Sequence, residues 1–317
     1  MLEHGDRVSL LYDDAAGHKD DAVAHRLGEG HFMRDHDHGH LLLSELADDL
    51  EQHDKPHVIL GTAAVLQGNT LTLQAGDELY FAIEGLLIID EGATLVVNGS
   101  AERPVLFTSL RRDGWYSFLP GQWMAVWFYP GSVNNVIDHA VFEKGTLGLV
   151  VDTNVGPNPT LTIRNSVICQ MSNTGIMGRG ARIVGQNLLL YQCGVATFWA
   201  RYGGGYSFDH CTFANYWRYG SRENPGVVLN NWYISSDGAV IPRDLDSANF
   251  TNCIIYGTWQ QGEVLLDSLD GVPFHYAFPN SIVRGGEWDE DPLFVNPDSN
   301  DFHLKDDSPA IGIGYPF

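Results

Sequence analysis

A short pattern of apolar and polar residues recurs along most of the chain. It is visible in "IRNSVICQ" at 163–170, "FDHCTFAN" at 208–215, "FTNCIIYG" at 250–257 and "FPNSIVRG" at 278–285. Each phrase has a bulky apolar residue, one variable residue, Asn or His, a small residue and then a largely apolar stretch. The polar position is occupied in turn by His139, Asn165, Asn187, His210, Asn252 and Asn280.

These positions are separated by steps of 26, 22, 23, 42 and 28 residues. The 42-residue step divides into two equal parts if Asn231 is counted as a member. A drifting period in the low twenties is typical of a solenoid. The phrases are rich in β-branched and aromatic residues and show no helical periodicity after about residue 60. The pattern therefore predicts an all-β fold, a single-stranded parallel β-helix.

The recurring Asn has a structural interpretation. Equivalent positions in neighbouring coils of a β-helix lie about 4.8 Å apart. An Asn at each turn can pass side-chain hydrogen bonds from coil to coil, and it tolerates the left-handed backbone of a tight turn. We expect a ladder in which His139 and His210 replace the amide by imidazole. The following position, which is mostly small, should face inward.

The four cysteines are Cys169, Cys193, Cys211 and Cys253, and they form no CxxC pair. Their spacing excludes a zinc ribbon or a thioredoxin motif. Cys211 and Cys253 follow two ladder positions, which lie two coils apart if Asn231 marks a coil between them. That separation, about 9.6 Å, is too long for a disulfide. We expect buried, reduced thiols.

Several motifs occur in the same order as in a known family. "GNTLTLQAGDELYF", "LVVNGSAERPVLFTS", "HCTFANYW" and "NCIIYG" resemble exported right-handed parallel β-helix proteins of Bacteroidota, over about residues 58–314. The resemblance implies a right-handed, pectin-lyase-like β-helix. It also implies an extracellular or cell-envelope location, although the chain starts without a signal peptide or lipobox. It implies little about activity.

The first 57 residues differ from the rest. They hold nine of the thirteen histidines, and two segments, at 18–30 and 40–53, have the pattern of short helices. The stretch between them, "HFMRDHDHGH", offers His36, His38 and His40 as possible ligands of a transition metal. The alternative is a polar extension that caps the first coil. The predicted domains are this extension at 1–57, the β-helix at 58–286 and a C-terminal cap at 287–317.

The acidic balance limits the partners. A net charge of −22 argues against nucleic acid as a ligand, because phosphate binding needs basic patches. The chain contains no apolar run long enough for a transmembrane helix. The C-terminal segment carries eight acidic residues between Glu287 and Asp307. Asp298 and Asn300 could bind Ca²⁺, but acids beside Pro, Ser and Asn more often cap turns, so we expect an end cap that needs no cofactor.

Enzymatic chemistry has little support in the sequence. Polysaccharide lyases need calcium-binding carboxylates and a base, and hydrolases need two carboxylates about 5–10 Å apart. Asp209 and His210 are adjacent, but neighbouring side chains of a strand face opposite sides. No other spacing gathers acids and bases into a catalytic constellation.

Aromatic residues give a better indication of function. Two stretches, "WARYGGGYSF" and "NYWRYGSRENPG", mix Trp and Tyr with Arg near predicted loops. Exposed rings of this kind stack on sugars or contact proteins. The candidate binding residues are Trp199, Arg201, Tyr202, Tyr206, Trp217, Arg218 and Tyr219. We expect non-catalytic binding of a polysaccharide or a surface protein. A purely structural or assembly role and cleavage of an acidic glycan remain open alternatives.

Overall fold

The computed structural model describes residues 56–153 and 156–315, and the backbone of two short strands at 32–33 and 40–41. These residues form an all-β parallel solenoid of about nine turns, as the sequence predicts. The helix predicted at 18–30 and the candidate metal ligands His36 and His38 lie outside the described residues. The helix predicted at 40–53 is wrong at its first two residues, which form a strand, and the rest of it is not described. His40 is described only as part of a strand backbone.

Three parallel sheets build the solenoid. Sheet A contains β1 (Phe32–Met33), β3 (His57–Ile59), β6 (Glu78–Phe81), β9 (Val105–Ser109), β12 (Ala140–Glu143), β15 (Val167–Met171), β18 (Leu189–Cys193), β21 (Thr212–Asn215), β26 (Ile254–Gly257) and β29 (Ile282–Val283). Sheet B contains β2 (His40–Leu41), β4 (Thr62–Val65), β7 (Leu86–Ile89), β10 (Ala125–Phe128), β13 (Leu149–Asp152), β16 (Thr174–Arg179), β19 (Ala196–Arg201), β22 (Val227–Asn230) and β27 (Val264–Asp267).

Sheet C contains β5 (Thr70–Gln74), β8 (Thr94–Asn98), β11 (Asn135–Asp138), β14 (Leu161–Arg164), β17 (Arg182–Gln186), β20 (Gly204–Asp209), β25 (Leu245–Thr251) and β28 (Phe274–Ala277). Two antiparallel hairpins stand apart, β23 (Trp232–Ile234) with β24 (Val240–Pro242), and β30 (Phe294–Asn296) with β31 (Asp301–Leu304). Short 3₁₀ turns occupy Gly114–Phe118 and Pro297–Ser299.

The core lies inside the coils and follows from alternation along each strand. In β5, Leu71 and Leu73 face inward and are buried, while Thr70 and Thr72 face solvent. Equivalent inward residues stack from coil to coil, as the rings of Phe107 and Phe142 do at 4.3 Å. Each fully buried apolar side chain stabilises the fold by about 1.5–3 kcal/mol.

The six predicted ladder residues all have a left-handed backbone, with φ between 49° and 54°. They lie at the corner between sheets C and A. Asn187 Nδ2 donates to Asn165 Oδ1 at 2.8 Å, and Asn165 Nδ2 donates to Asp138 Oδ1 at 2.8 Å. The same carboxylate lies 2.7 Å from Nδ1 of His139.

One predicted member does not belong to this corner. Asn231 follows β22 of sheet B, and its side chain bonds the backbone of residues 269, 272 and 273. The 42-residue step from His210 to Asn252 is therefore a single coil that carries long insertions. Asn252 Nδ2 lies 3.1 Å from His210 Nε2, so the two residues are direct neighbours.

The same correction changes the predicted separation of Cys211 and Cys253. Thr212 pairs with Ile254, which places Cys211 and Cys253 side by side in adjacent coils and not two coils apart. All four cysteines are free and buried.

The C-terminal segment packs differently from the predicted end cap. Phe302 contacts Tyr191 at 5.2 Å and Tyr216 at 6.0 Å on the outer face of sheet A. Leu266 lies in the inward row of sheet B but is 39% exposed, because no described strand follows β27. The C-terminal segment thus covers the outer face of sheet A, where aromatic side chains provide apolar surface. It leaves the last described strand of sheet B uncovered at Leu266.

The solenoid also begins earlier than the predicted boundary at residue 58. β1 pairs in parallel with β3, and β2 pairs in parallel with β4. Sheets A and B therefore start inside the segment predicted to be an extension.

Candidate functional site

The outer face of sheet B brings together part of the predicted binding set. In β19, Phe198 and Ala200 point into the core, so Trp199 and Arg201 point outward. Tyr202 follows directly at the end of the strand. Tyr206 does not join them, because its alternation with Phe208 places it in the core, where it is 1% exposed and donates to the Gly203 carbonyl. The prediction of Tyr206 as a surface ligand is corrected accordingly.

Parallel register extends this face into two rows. Trp127, Val150, Met177, Trp199, Val228 and Leu265 form an apolar row. Beside it runs a polar row of Asp152, Arg179, Arg201, Asn230 and Asp267. Val150, Met177 and Val228 of the apolar row and Asp152 of the polar row are buried, whereas Trp199 and Arg201 are half-buried.

Arg201 is the distinctive member of the polar row. Its guanidinium carbon lies 5.1 Å from the ring centre of Trp199 and 5.0 Å from that of Tyr202. Among the described residues, no carboxylate comes within ion-pair distance of Arg201. The Nε1 of Trp199 is also buried without a hydrogen-bond acceptor from the described chain. Two adjacent donors thus lack acceptors within the described protein.

Tyr202 adopts a backbone conformation that a bulky residue rarely takes, with φ of 68°. Such a conformation costs roughly 1–2 kcal/mol for a residue with a side chain. It is held by a hydrogen bond from its N–H to Asn230 Oδ1 and by contact with Tyr233, at 4.7 Å between ring centres. Backbone strain of this kind is concentrated at functional sites.

The preceding coils supply a rigid edge to the site. Arg179 forms a bidentate ion pair with the buried Asp152, through Nε at 2.5 Å and Nη2 at 2.6 Å. Trp127 donates its Nε1 to the same carboxylate at 2.9 Å, and Arg179 covers the Trp127 ring. Arg179 differs from Arg201 in that its charge is already compensated.

An inserted hairpin forms the other side. β23 and β24 place Tyr233 beside Tyr202, and Arg243 stacks over Tyr233 with 5.3 Å to the ring centre. Trp232 donates to Asp267, which also accepts from Asn230. The sequence-based candidates did not include these residues. The long step between His210 and Asn252 was the sequence signal for these residues, because its extra length consists of insertions and not of a second coil.

The remaining predicted residues lie elsewhere. Trp217 and Tyr219 pack against each other with tilted rings, 5.0 Å between ring centres, and Tyr219 accepts a hydrogen bond from Gln170. Arg218 donates to Asn300 of the C-terminal segment at 2.6 Å. Arg218 thus helps to fasten that segment, and none of the three residues is part of the sheet B face.

The sheet B face offers binding groups rather than a catalytic pair near Arg201. The carboxylates on either side of Arg201 in its row are Asp152 and Asp267, four strand steps apart. That is about 19 Å at one strand spacing per step. In the described part of the chain, no group of three His, Cys, Asp or Glu side chains is placed to hold a metal ion.

Comparison of the chain with protein-family models, with curated proteins and with solved structures found no significant match. Within the described residues, no helix has the length and apolar character needed to cross a membrane.

Proposed function

We propose that this protein binds an acidic polysaccharide along the outer face of sheet B without cleaving it. The observation that carries the proposal is Arg201, a charged group flanked by two aromatic rings and unpaired within the described structure. An extracellular or cell-envelope location, as in the exported pectin-lyase-like β-helix proteins that the sequence resembles, is part of the proposal.

The chemistry of the face fits such a ligand. A guanidinium binds a carboxylate or sulfate group through paired hydrogen bonds. Trp and Tyr rings offer flat apolar surfaces for sugar rings. Val150, Met177, Val228 and Asp152 of these rows are buried, so an extended ligand contacts the half-buried Trp199 and Arg201 and not every coil.

The net charge of −22 opposes an anionic ligand at long range. This repulsion is screened beyond about 8 Å at physiological ionic strength. The charges close to the ligand therefore matter most. Arg201 and Arg243 lie on or beside this face with no carboxylate of the described chain at ion-pair distance, whereas Arg179 is already paired with Asp152.

Cleavage is a weaker interpretation of the same face. A glycoside hydrolase needs two carboxyl groups about 5–10 Å apart, far less than the separation of Asp152 and Asp267. Asp152 is also engaged by Arg179 and Trp127, so it is not free to act as a base.

A glycan array tests the proposal. Uronate-containing, sulfated and neutral oligosaccharides are compared on purified full-length protein, and hits are quantified by calorimetry. Binding of acidic members is expected, with no release of reducing ends or unsaturated products. Failure to bind any acidic glycan, or formation of cleavage products, would contradict the proposal.

A further inference from the structure

A cleft lies at the corner between sheets C and A, away from the sheet B face. Its volume is about 540 Å³. The ladder residues of three consecutive coils form its floor, and the start of β31 forms its wall. The main lining residues are Asn165, Asn187, His210, Asp301, Phe302 and His303.

The wall is held in place by contacts outside the cleft. Asn300 Oδ1 accepts hydrogen bonds from Arg218 at 2.6 Å and from Gln192 at 3.4 Å. Phe302 packs on Tyr191 and Tyr216 of sheet A. Hydrogen bonds between the backbone of Tyr315 and the side chain of Asn252 tie down the end of the same segment. The cleft is therefore formed before any ligand arrives, which lowers the entropy cost of binding.

The polar groups of the cleft are oriented. His303 Nδ1 lies 2.6 Å from Asp301 Oδ1, which directs the Nε2 edge of the ring away from the carboxylate. This hydrogen bond holds the pKa of Asp301 below its usual range. Asn187 donates its amide N–H to Asn165. The side-chain oxygen of Asn187 has no donor from the described chain.

We propose that this cleft binds a neutral saccharide of one or two rings. Its volume falls within the range of small-ligand sites, about 300–1,000 Å³. Side-chain amides, a carboxylate and an imidazole are suited to sugar hydroxyls, which both donate and accept hydrogen bonds. Phe302, Val167 and Leu189 supply apolar surface for the C–H face of a sugar ring.

The lining argues against two other ligand classes. No Lys or Arg lines the cleft, and the Asp301 carboxylate repels anions. The described residues place no cluster of three metal-ligating side chains here. With anions and metal ions disfavoured, the lining is best suited to a neutral polar ligand. This site is independent of the proposed acidic-glycan face, so the two proposals can fail separately.

Saturation-transfer NMR with a panel of neutral mono- and disaccharides at millimolar concentration provides the first test, followed by calorimetry on each hit. The variants are His303→Ala and Asp301→Asn, both at solvent-accessible positions. His275→Ala, on the exposed β28, is the matched control.

Each cleft variant should weaken neutral-sugar binding about tenfold, because His303→Ala removes a hydrogen-bonding group and Asp301→Asn replaces the carboxylate that orients the His303 ring. The His275 variant and Arg201→Gln should bind neutral sugars as the unchanged protein does. Absence of binding to every neutral sugar would overturn the proposal. So would binding that neither cleft variant weakens.

Discussion

Cys211 and Cys253 lie side by side in adjacent coils, and each thiol donates to the backbone carbonyl two residues before it. The distances are 3.3 Å to the Asp209 carbonyl and 3.2 Å to the Thr251 carbonyl. Ser166 and Ser281 make the same contact at the same corner position. The thiols therefore act as structural substitutes for hydroxyl groups in the inner row of the ladder corner.

This placement predicts unreactive thiols. Burial raises the pKa of Cys169 to about 12, and it raises the pKa of Cys211 above its usual value. At pH 8 the native protein should thus present few thiolates and no access to reagent. Mass spectrometry after iodoacetamide treatment should show four unmodified cysteines in native protein and four modified ones in denaturant. Modification of any cysteine without denaturant would contradict the placement.

The exposed ladder residue Asn187 provides a test of the corner geometry. Replacing it by Val removes the hydrogen bond to Asn165 and forces a β-branched residue into the left-handed region. The free energy of unfolding should fall by roughly 1–3 kcal/mol. Asn187→Gly loses the same hydrogen bond without the backbone strain, so chemical denaturation should show a smaller loss. Equal losses in both variants would mean that the left-handed backbone does not matter here.

A buried ion pair joins the segment between β21 and β22 to the following coil. Arg222 Nη2 lies 2.6 Å from Glu263 Oε1, and both side chains are nearly inaccessible to solvent. Glu263 also accepts hydrogen bonds from the backbone N–H groups of Gly226 and Trp259. Arg222→Ala leaves this carboxylate buried without its charge partner and should destabilise the fold by about 3–5 kcal/mol.

The matched control is the exposed pair of Arg182 and Asp246. Arg182→Ala should change the free energy of unfolding by about 1 kcal/mol or less. Similar melting temperatures for the two alanine variants would contradict a structural role for the buried pair.

Tyr202 should show a trade-off between stability and binding. Asn tolerates a positive φ, so Tyr202→Asn relieves strain of roughly 1–2 kcal/mol while it removes the contact with Tyr233, worth roughly 0.5–1.5 kcal/mol. The melting temperature should therefore change little. Affinity for an acidic glycan should fall, because one of the two rings beside Arg201 is lost. Unchanged affinity would remove Tyr202 from the site.

The fold was predictable because the ladder corner has strict requirements. Each corner position needs a residue that adopts a left-handed backbone and hydrogen-bonds to the next coil. Asn meets both needs, and it recurs in the sequence at Asn165, Asn187 and Asn252. The insertion after β21 was not predictable from spacing alone. Asn231 lies midway between two ladder residues, so its spacing suggests an additional coil. In the structure it instead stabilises the backbone near residue 270.

The site was predictable only in part, for a related reason. Alternation along a strand separates Trp199 and Arg201, which face out, from Tyr206 and Phe208, which face in. The lateral neighbours of Arg201, namely Arg179 and Asn230, come from other coils, so their approach depends on register. The C-terminal segment folds back over sheet A through contacts such as Phe302 with Tyr191, and no local sequence pattern specifies such a long-range choice.

The most direct test of acidic-glycan binding compares the unchanged protein with Arg201→Gln and with Arg164→Gln, an exposed arginine on sheet C. Calorimetry with one acidic oligosaccharide at fixed salt gives the affinity of each. A charge-assisted hydrogen bond contributes about 1.5–3 kcal/mol, so Arg201→Gln should weaken binding at least tenfold. Arg164→Gln should leave the affinity unchanged. Equal affinity for all three proteins would contradict the claim that Arg201 on sheet B holds the ligand.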